Sequence, residues 1–370
     1  MSSGLAEPIA GEEPAPRRDL PRLTSLRAFA ALAVLGYHLM RHTPWLPHDA
    51  WFRYGFTGVG FFFILSGFVL TWSIRPHDSA KDFWVRRFAR VYPSHLVMLV
   101  VALLAPVAPG AITWLGAVAG VLLVQAWFVD WDIVFGLNSP SWTLSCEAFF
   151  YLCAPLVIRR LARTSPTRAV VAAGAWVVAT SAAAVGLGLS SDGTDVYAFH
   201  NPLVRSGEFV LGVLLAVLVE KGWRPRVPLV PSILLLLVVA GAFSVASGVL
   251  PQSVVGTLLD PFFALVILAA ALADIAGRGG VLRHRMLVYL GQVSFGFYLV
   301  HELVIVNLAP HLPSGTPAEN LVSLTAVGAA ALVAAMALHH LVELPCQGAV
   351  RRRWARRRTR SGAAPTSTKR

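Results

Sequence analysis

Apolar residues in this chain come in long unbroken runs, and polar residues collect between them. The runs cover residues 23–40, 56–74, 91–109, 111–129, 141–158, 168–189, 203–219, 229–248, 254–274, 287–308 and 320–343. Most are close to the roughly 18–20 apolar residues that carry a helix across a bilayer. They are continuous rather than alternating, which argues for helices and against the strands of a membrane barrel. The pattern predicts an all-α, polytopic transmembrane helical bundle.

Charge orders these segments across the membrane. Lys and Arg favour the cytoplasmic side of short connections. Arg17, Arg18 and Arg22 place the N-terminus inside. Arg75, Lys81, Arg86, Arg87 and Arg90 place the connection after two spans inside as well. Further inside connections are predicted at Arg159, Arg160, Arg163 and Arg168, at Lys221, Arg224 and Arg226, and at Arg278, Arg283 and Arg285. Residues 190–202 and 309–319 carry no Lys or Arg and fit the outside. Three apolar runs then lie between two inside connections, where only an even number can cross. Segment 111–129, with Trp127 and Trp131 suited to an interface, is expected to lie at the outer interface or re-enter. The expectation is about ten spanning helices, with both termini cytoplasmic.

Composition agrees and narrows the choices. The 370 residues are 56% hydrophobic and 14% charged, where soluble domains are nearer a quarter charged. The net charge of +12 sits in the inside connections and in the tail Arg351-Arg352-Arg353-Trp354. That placement points to membrane lipid rather than to nucleic acid. Residues 1–22 are Pro-rich and polar and read as a disordered cytoplasmic arm without a cleavable signal. Residues 23–345 form the membrane domain, and 346–370 a basic cytoplasmic tail. Cys146, Cys153 and Cys346 have no metal-ligand spacing, so no metal site and no disulfide framework is expected.

Polar residues inside apolar runs carry the candidate chemistry. Arg27 and His38 are eleven residues apart, about 20° past three full helical turns, so both leave one face roughly 16 Å apart in depth. Ionisable groups within a membrane mark a functional interior by default; the alternative is two helix-end residues snorkelling to opposite interfaces. Arg87 and Arg90 are i,i+3 and form a fork suited to phosphate, or ordinary positive-inside charge. Glu147 follows Ser141, Trp142 and Thr143 at the mouth of a predicted helix. It can act as acid or base, orient a histidine, or simply complement the helix dipole. Ser294, Tyr298 and His301 line one polar face and read as a cavity or a helix contact. Gly55, Gly58, Gly60, Ser66 and Gly67 permit close helix approach. No Gly-x-Ser-x-Gly elbow, Walker loop or dinucleotide fingerprint occurs. Direct transfer through a histidine base is therefore simpler than a covalent intermediate.

Taken in order, these elements resemble the acyltransferase 3 family of bacterial integral-membrane acyltransferases. They are Leu26-Arg27 with His38, GVGFFFILSGFVL over residues 58–70, Arg87-x-x-Arg90, SWTLSCEAFFYL with Glu147, SFGFYLVH ending at His301, and Glu343-x-Pro345. The likeness runs from about Leu23 to Pro345. Four positions depart from the family pattern: Thr24 where Asp is frequent, Ala28 for Gly, Ala148 for a second acidic residue, and Gln347 for Arg. A mechanism needing adjacent carboxylates at 147 and 148 is not supported. Some relatives carry an additional esterase-like domain, for which no room is expected after the basic tail.

The resemblance implies transfer of an acyl group, often acetyl from acetyl-CoA, to a hydroxyl of a sugar, polysaccharide or glycosylated metabolite. Acyl-CoA is then a co-substrate and no bound cofactor is needed. In that reading Arg87 and Arg90 hold the donor phosphates, and Arg27 meets the pyrophosphate or thioester. His38 is the general base, Glu147 orients it, and His301, Tyr298, Ser294, Ser141 and Trp142 line the acceptor cavity. A transporter or flippase of a glycolipid or small molecule is the alternative, and a non-catalytic partner in polysaccharide assembly is a third. The expected location is the inner (cytoplasmic) membrane.

Overall fold

A computed structural model describes residues 19–43, 52–74, 79–105, 112–190, 194–246 and 250–360. Fourteen α-helices occur among them: α1 Pro21–His42, α2 Gly58–Ser73, α3 Ala80–Leu104, α4 Trp114–Leu122, α5 Trp131–Phe135, α6 Trp142–Arg163, α7 Pro166–Gly188, α8 Asp195–His200, α9 Pro202–Glu220, α10 Leu229–Ala246, α11 Gln252–Ile275, α12 Arg285–Leu308, α13 Pro317–Leu338 and α14 Leu344–Arg360. No strand occurs among the described residues. Helices suit the setting, because every backbone polar group in a bilayer must be satisfied within the protein.

Helix starts follow ordinary capping chemistry. Pro occupies the first turn of α1, α7, α9 and α13, where its missing N–H costs nothing. The Asn201 side chain accepts from the Leu203 and Val204 amides, and Thr316 with Glu319 forms a reciprocal capping box.

Nine helical stretches among the described residues are long and apolar enough to cross a membrane, one fewer than the ten expected, because α10 is apolar but shorter. No spanning helix lies in segment 111–129, the one expected not to cross. Helix α4 has nine residues, about 14 Å of rise, against roughly 30 Å of hydrocarbon. It ends at Leu123, whose φ of 57° turns the chain left-handed. Two α3 side chains stand against its open carbonyl end: His95 Nε2 lies 2.8 Å from the Gly120 oxygen and Tyr92 donates to Val121 at 3.1 Å. Supplying partners from a neighbouring helix is how irregular backbone is tolerated at membrane depth.

Other boundaries shift. Helix α3 begins at Ala80, eleven residues before the apolar run starts, because Ser79 accepts from the Asp82 amide and Asp82 sits in the first turn. Arg86, Arg87 and Arg90 therefore lie on a helix and not in a connection. Arg22 is not part of an arm: it is buried in the first turn of α1 and pairs with Asp274 of α11 at 2.5 Å. Residues 1–18, including Arg17 and Arg18, lie outside the described residues, as do Arg75 and residues 361–370. The last span does not stop at Glu343-x-Pro345. A π-helical turn, His339–Glu343, joins α13 to α14. Its wider register avoids the clash between a proline ring and the carbonyl four residues earlier.

Helices α2 and α9 are the most enclosed, whereas α7 and α10 face outward. An alanine at Gly67 would strike the Phe209 carbonyl oxygen, and one at Gly212 the Ile64 carbonyl oxygen, so α2 and α9 touch backbone to backbone. Gly291 of α12 admits the Thr24 carbonyl of α1 in the same way. Leu104, Val171, Val178, Val238 and Val333 point out of the bundle, an apolar surface that suits lipid.

Candidate active site

Helix α1 passes through the bundle between α2, α11 and α12, and its polar face meets two separate clusters. At the N-terminal end stands Arg27, with Arg90, Glu343, Glu147 and Tyr151 around it. Glu147 Oε2 accepts from the Tyr151 hydroxyl at 2.6 Å, one helical turn along α6. Arg87 donates to the Ser73 hydroxyl at 3.3 Å, and its guanidinium lies 5.6 Å from the Phe83 ring centre. Arg90 Nε is 3.9 Å from Glu343 Oε1, while the other Glu343 oxygen lies 2.7 Å from His339 Nδ1. Gln347 also donates to Glu343. Among the described residues, no hydrogen bond or ion pair holds the Arg27 guanidinium. Three guanidiniums against two carboxyl groups leave this end in positive surplus.

Between the two clusters lies a cavity of about 40 Å³ lined by Arg27, Glu147, Thr143, Ser294, Tyr298 and apolar neighbours that include Phe62 and Phe63. That volume holds a few water molecules. Ser141 and Trp142 do not line it. Ser141 is held by Gln125, and Trp142 is buried against Phe199 and Phe63.

The second cluster lies toward the C-terminal end of α1. His38 Nδ1 is 3.1 Å from the Val34 carbonyl oxygen and 3.0 Å from His301 Nε2. His301 Nδ1 is 2.7 Å from the Tyr298 carbonyl oxygen. His38 Nε2 faces Glu302 Oε2 at 3.5 Å, and His42 Nε2 lies 2.8 Å from Glu302 Oε1. Tyr298 connects the clusters. It lines the cavity, and its ring centre is 5.7 Å from that of His301.

The structure thus brings His38 and His301 into contact and gathers Arg27, Arg87, Arg90 and Glu147 at the other end. It does not pair Glu147 with His38. Glu147 belongs to the basic end and bonds Tyr151, and the carboxylate beside His38 is Glu302. Sequence reasoning gave Glu302 and His42 no role, although His38 and His42 are i,i+4 on one face. It also missed a buried charged group beside Gly60. Arg205 pairs with Glu208 at 2.9 Å, and a Cβ at Gly60 would lie 2.9 Å from Asp260 Oδ1. Gly60 therefore makes room for charged side chains, whereas Gly55, Gly58 and Gly67 make room for backbone. His200, in α8 outside the spanning helices, is fully buried with neither ring nitrogen bonded. Burial, helped by the Arg205 guanidinium, lowers it to about 4.

A family model described as an acyltransferase domain matches residues 20–340. "Acyltransferase MdmB" from Streptomyces mycarofaciens is 39% identical, covering 90% of this chain and 93% of its own. "Peptidoglycan O-acetyltransferase OatA" from Listeria monocytogenes is 26% identical over 81% of this chain and 52% of its own. "Putative peptidoglycan O-acetyltransferase YrhL" from Bacillus subtilis is 28% identical over 81% and 51%. The chain spans about half the length of those two peptidoglycan relatives. No solved structure matches. A helical bundle with nine candidate membrane-spanning helices among the described residues, a match over almost its whole length and relatives that are acyltransferases lead to one conclusion: the chain belongs to the acyltransferase 3 family and is a multi-pass membrane O-acyltransferase.

Proposed function

We propose that the protein moves an acyl group, acetyl by default, from acyl-CoA to a hydroxyl of a carbohydrate or glycosylated acceptor, with His38 as general base. One observation carries the reading: the polar face of α1 joins a positively charged end to a histidine–carboxylate end. CoA is anionic, and a fork of guanidiniums binds phosphate in bidentate fashion. Arg87 and Arg90 receive its phosphates, and Arg27, unbonded at the cavity wall, receives the pyrophosphate or the thioester. The positive-inside rule, applied to the arginine-bearing connections, supports a cytoplasmic location for this end, on the side where acyl-CoA is made. The pantetheine arm then reaches along α1 toward His38, about 16 Å deeper by helix rise.

The acceptor enters at the opposite end, where His42 is part-exposed. Its hydroxyl oxygen attacks the thioester carbon while His38 takes the hydroxyl proton. The C–S bond breaks as the tetrahedral intermediate collapses, and the proton passes from His38 to the departing thiolate. The products are the O-acyl ester and free CoA. The relatives named for peptidoglycan O-acetylation support a carbohydrate acceptor. Glu147 serves the donor end, where it fixes Tyr151 beside the arginines.

The test is acyl transfer by purified protein in nanodiscs, given acetyl-CoA and a panel of glycosides, with product and free CoA both quantified. Wild type is expected to form both, and His38→Ala to lose at least a hundredfold in each. Equal turnover by His38→Ala would remove the base from the account.

A further inference from the structure

Glu302 stands beside the base without an assigned role, and its surroundings define one. Its Oε1 accepts from His42 at 2.8 Å, while its Oε2 is buried and has no hydrogen-bond partner. The Tyr298 carbonyl oxygen only accepts, so His301 carries its ring proton on Nδ1. In the neutral ring, His301 Nε2 is then an acceptor. His38 Nδ1 must donate toward it, and toward the Val34 carbonyl. This leaves His38 Nε2 with a lone pair. Two acceptors, His38 Nε2 and Glu302 Oε2, face each other across 3.5 Å with no donor between them. That separation is too long for a direct bond, and buried acceptors without donors are costly. A hydroxyl oxygen beside the pair, about 2.8 Å from each atom, would bring one hydrogen for the two acceptors to share.

We propose that His38 Nε2 and Glu302 Oε2 together seat the acceptor hydroxyl, with Glu302 as a second catalytic residue and His42 as its positioning residue. The proposal rests on His38 as the base. As the hydroxyl oxygen bonds to the acyl carbon, its proton moves to His38 Nε2. The resulting imidazolium then has Glu302 as counter-ion, and it returns the proton to the thiolate as the C–S bond breaks. The carboxylate keeps its charge throughout, the role that a buried acid plays in hydrolase triads. His42 holds the other oxygen and keeps Oε2 turned toward the base. The His42 side chain is 25% exposed, so the seat opens toward the end opposite the arginines, where an acceptor arrives.

The test uses full-length protein in nanodiscs with acetyl-CoA and two nucleophiles. Methyl glucoside, like water, needs a base; hydroxylamine, the second added nucleophile, does not. Glu302→Gln is expected to lower transfer to the hydroxyl acceptors about a hundredfold. It should keep hydroxylamine transfer and CoA affinity within twofold of wild type. Glu302→Asp should recover part of the rate, and His42→Ala should lose about tenfold. Glu302→Gln with normal hydroxyl transfer, while His38→Ala is inactive, overturns the proposal and leaves the base in place. Equal loss with both nucleophiles also overturns it, because it reports a damaged donor site. Wild type that acylates neither nucleophile, or His38→Ala at the wild-type rate, overturns the reading beneath it.

Discussion

Single residues in this protein announce themselves when they contradict their surroundings. Arg27 and His38 were legible because each is polar in an apolar helix; Arg27 lies on the cavity wall and His38 against His301, along the face the helical period predicts. Glu302 was not, because what distinguishes it is contact with α1, 260 residues earlier in the chain. Arg205 and Glu208 gave a readable signal, an i,i+3 opposite-charge pair in an apolar helix. His200 allows a prediction at this scale. Its folded value of about 4 lies below the ordinary histidine value near 6.5. The unfolded chain therefore binds the proton first. Stability from a neutral His200 is complete above about pH 6.5 and is lost as pH falls toward 4, by up to about 3 kcal/mol. Thermal unfolding between pH 7 and pH 4.5 should show a smaller acid-induced drop in His200→Phe than in wild type. Identical drops would show that His200 takes no part.

Helices were legible where hydrophobic runs coincide with caps, and were misjudged where amphipathic turns extend them. Apolar periodicity placed the start of α3 near residue 91, yet capping by Ser79 begins it at Ala80. That difference puts Arg87 and Arg90 on a rigid element. Their separation is then set by the helix rather than by a loop, an advantage for a phosphate fork. The weak spanner, 111–129, was identified by parity and interfacial tryptophans, and α4 is short as expected. The π turn before Pro345 had no readable signal beyond the proline itself. Packing between elements gives a second prediction. Gly212→Val would push a side chain into the Ile64 carbonyl and separate α2 from α9. A stability loss of about 1–3 kcal/mol is expected, read as a lower melting temperature in detergent. Val at Gly174, where a Cβ meets nothing within 4 Å, should leave the melting temperature unchanged. Equal melting of both variants and wild type would show that the α2–α9 contact does not depend on that glycine.

At the scale of the whole molecule, charge placement predicts one topology. Reporter fusions should place residues 159–168 and 221–226 in the cytoplasm and 194–201 outside; a reporter at 159–168 read outside would invert the donor end. Membrane class and family were open to sequence reasoning, because each rests on long patterns that context cannot easily override. The placing of the carboxylates was not: that Glu147 stands with the arginines and Glu302 with His38 depends on which helices lie beside α1. The central claim is that these two ends do separate work. Acetyl-CoA affinity and turnover, measured on the same nanodisc samples, test it most directly. His38→Ala should bind acetyl-CoA within about twofold of wild type and lose turnover, whereas the Arg87→Ala/Arg90→Ala variant should lose binding by tenfold or more, about 1.4 kcal/mol. Acetyl-CoA binding that survives loss of both arginines, or that disappears with His38 alone, would contradict the account.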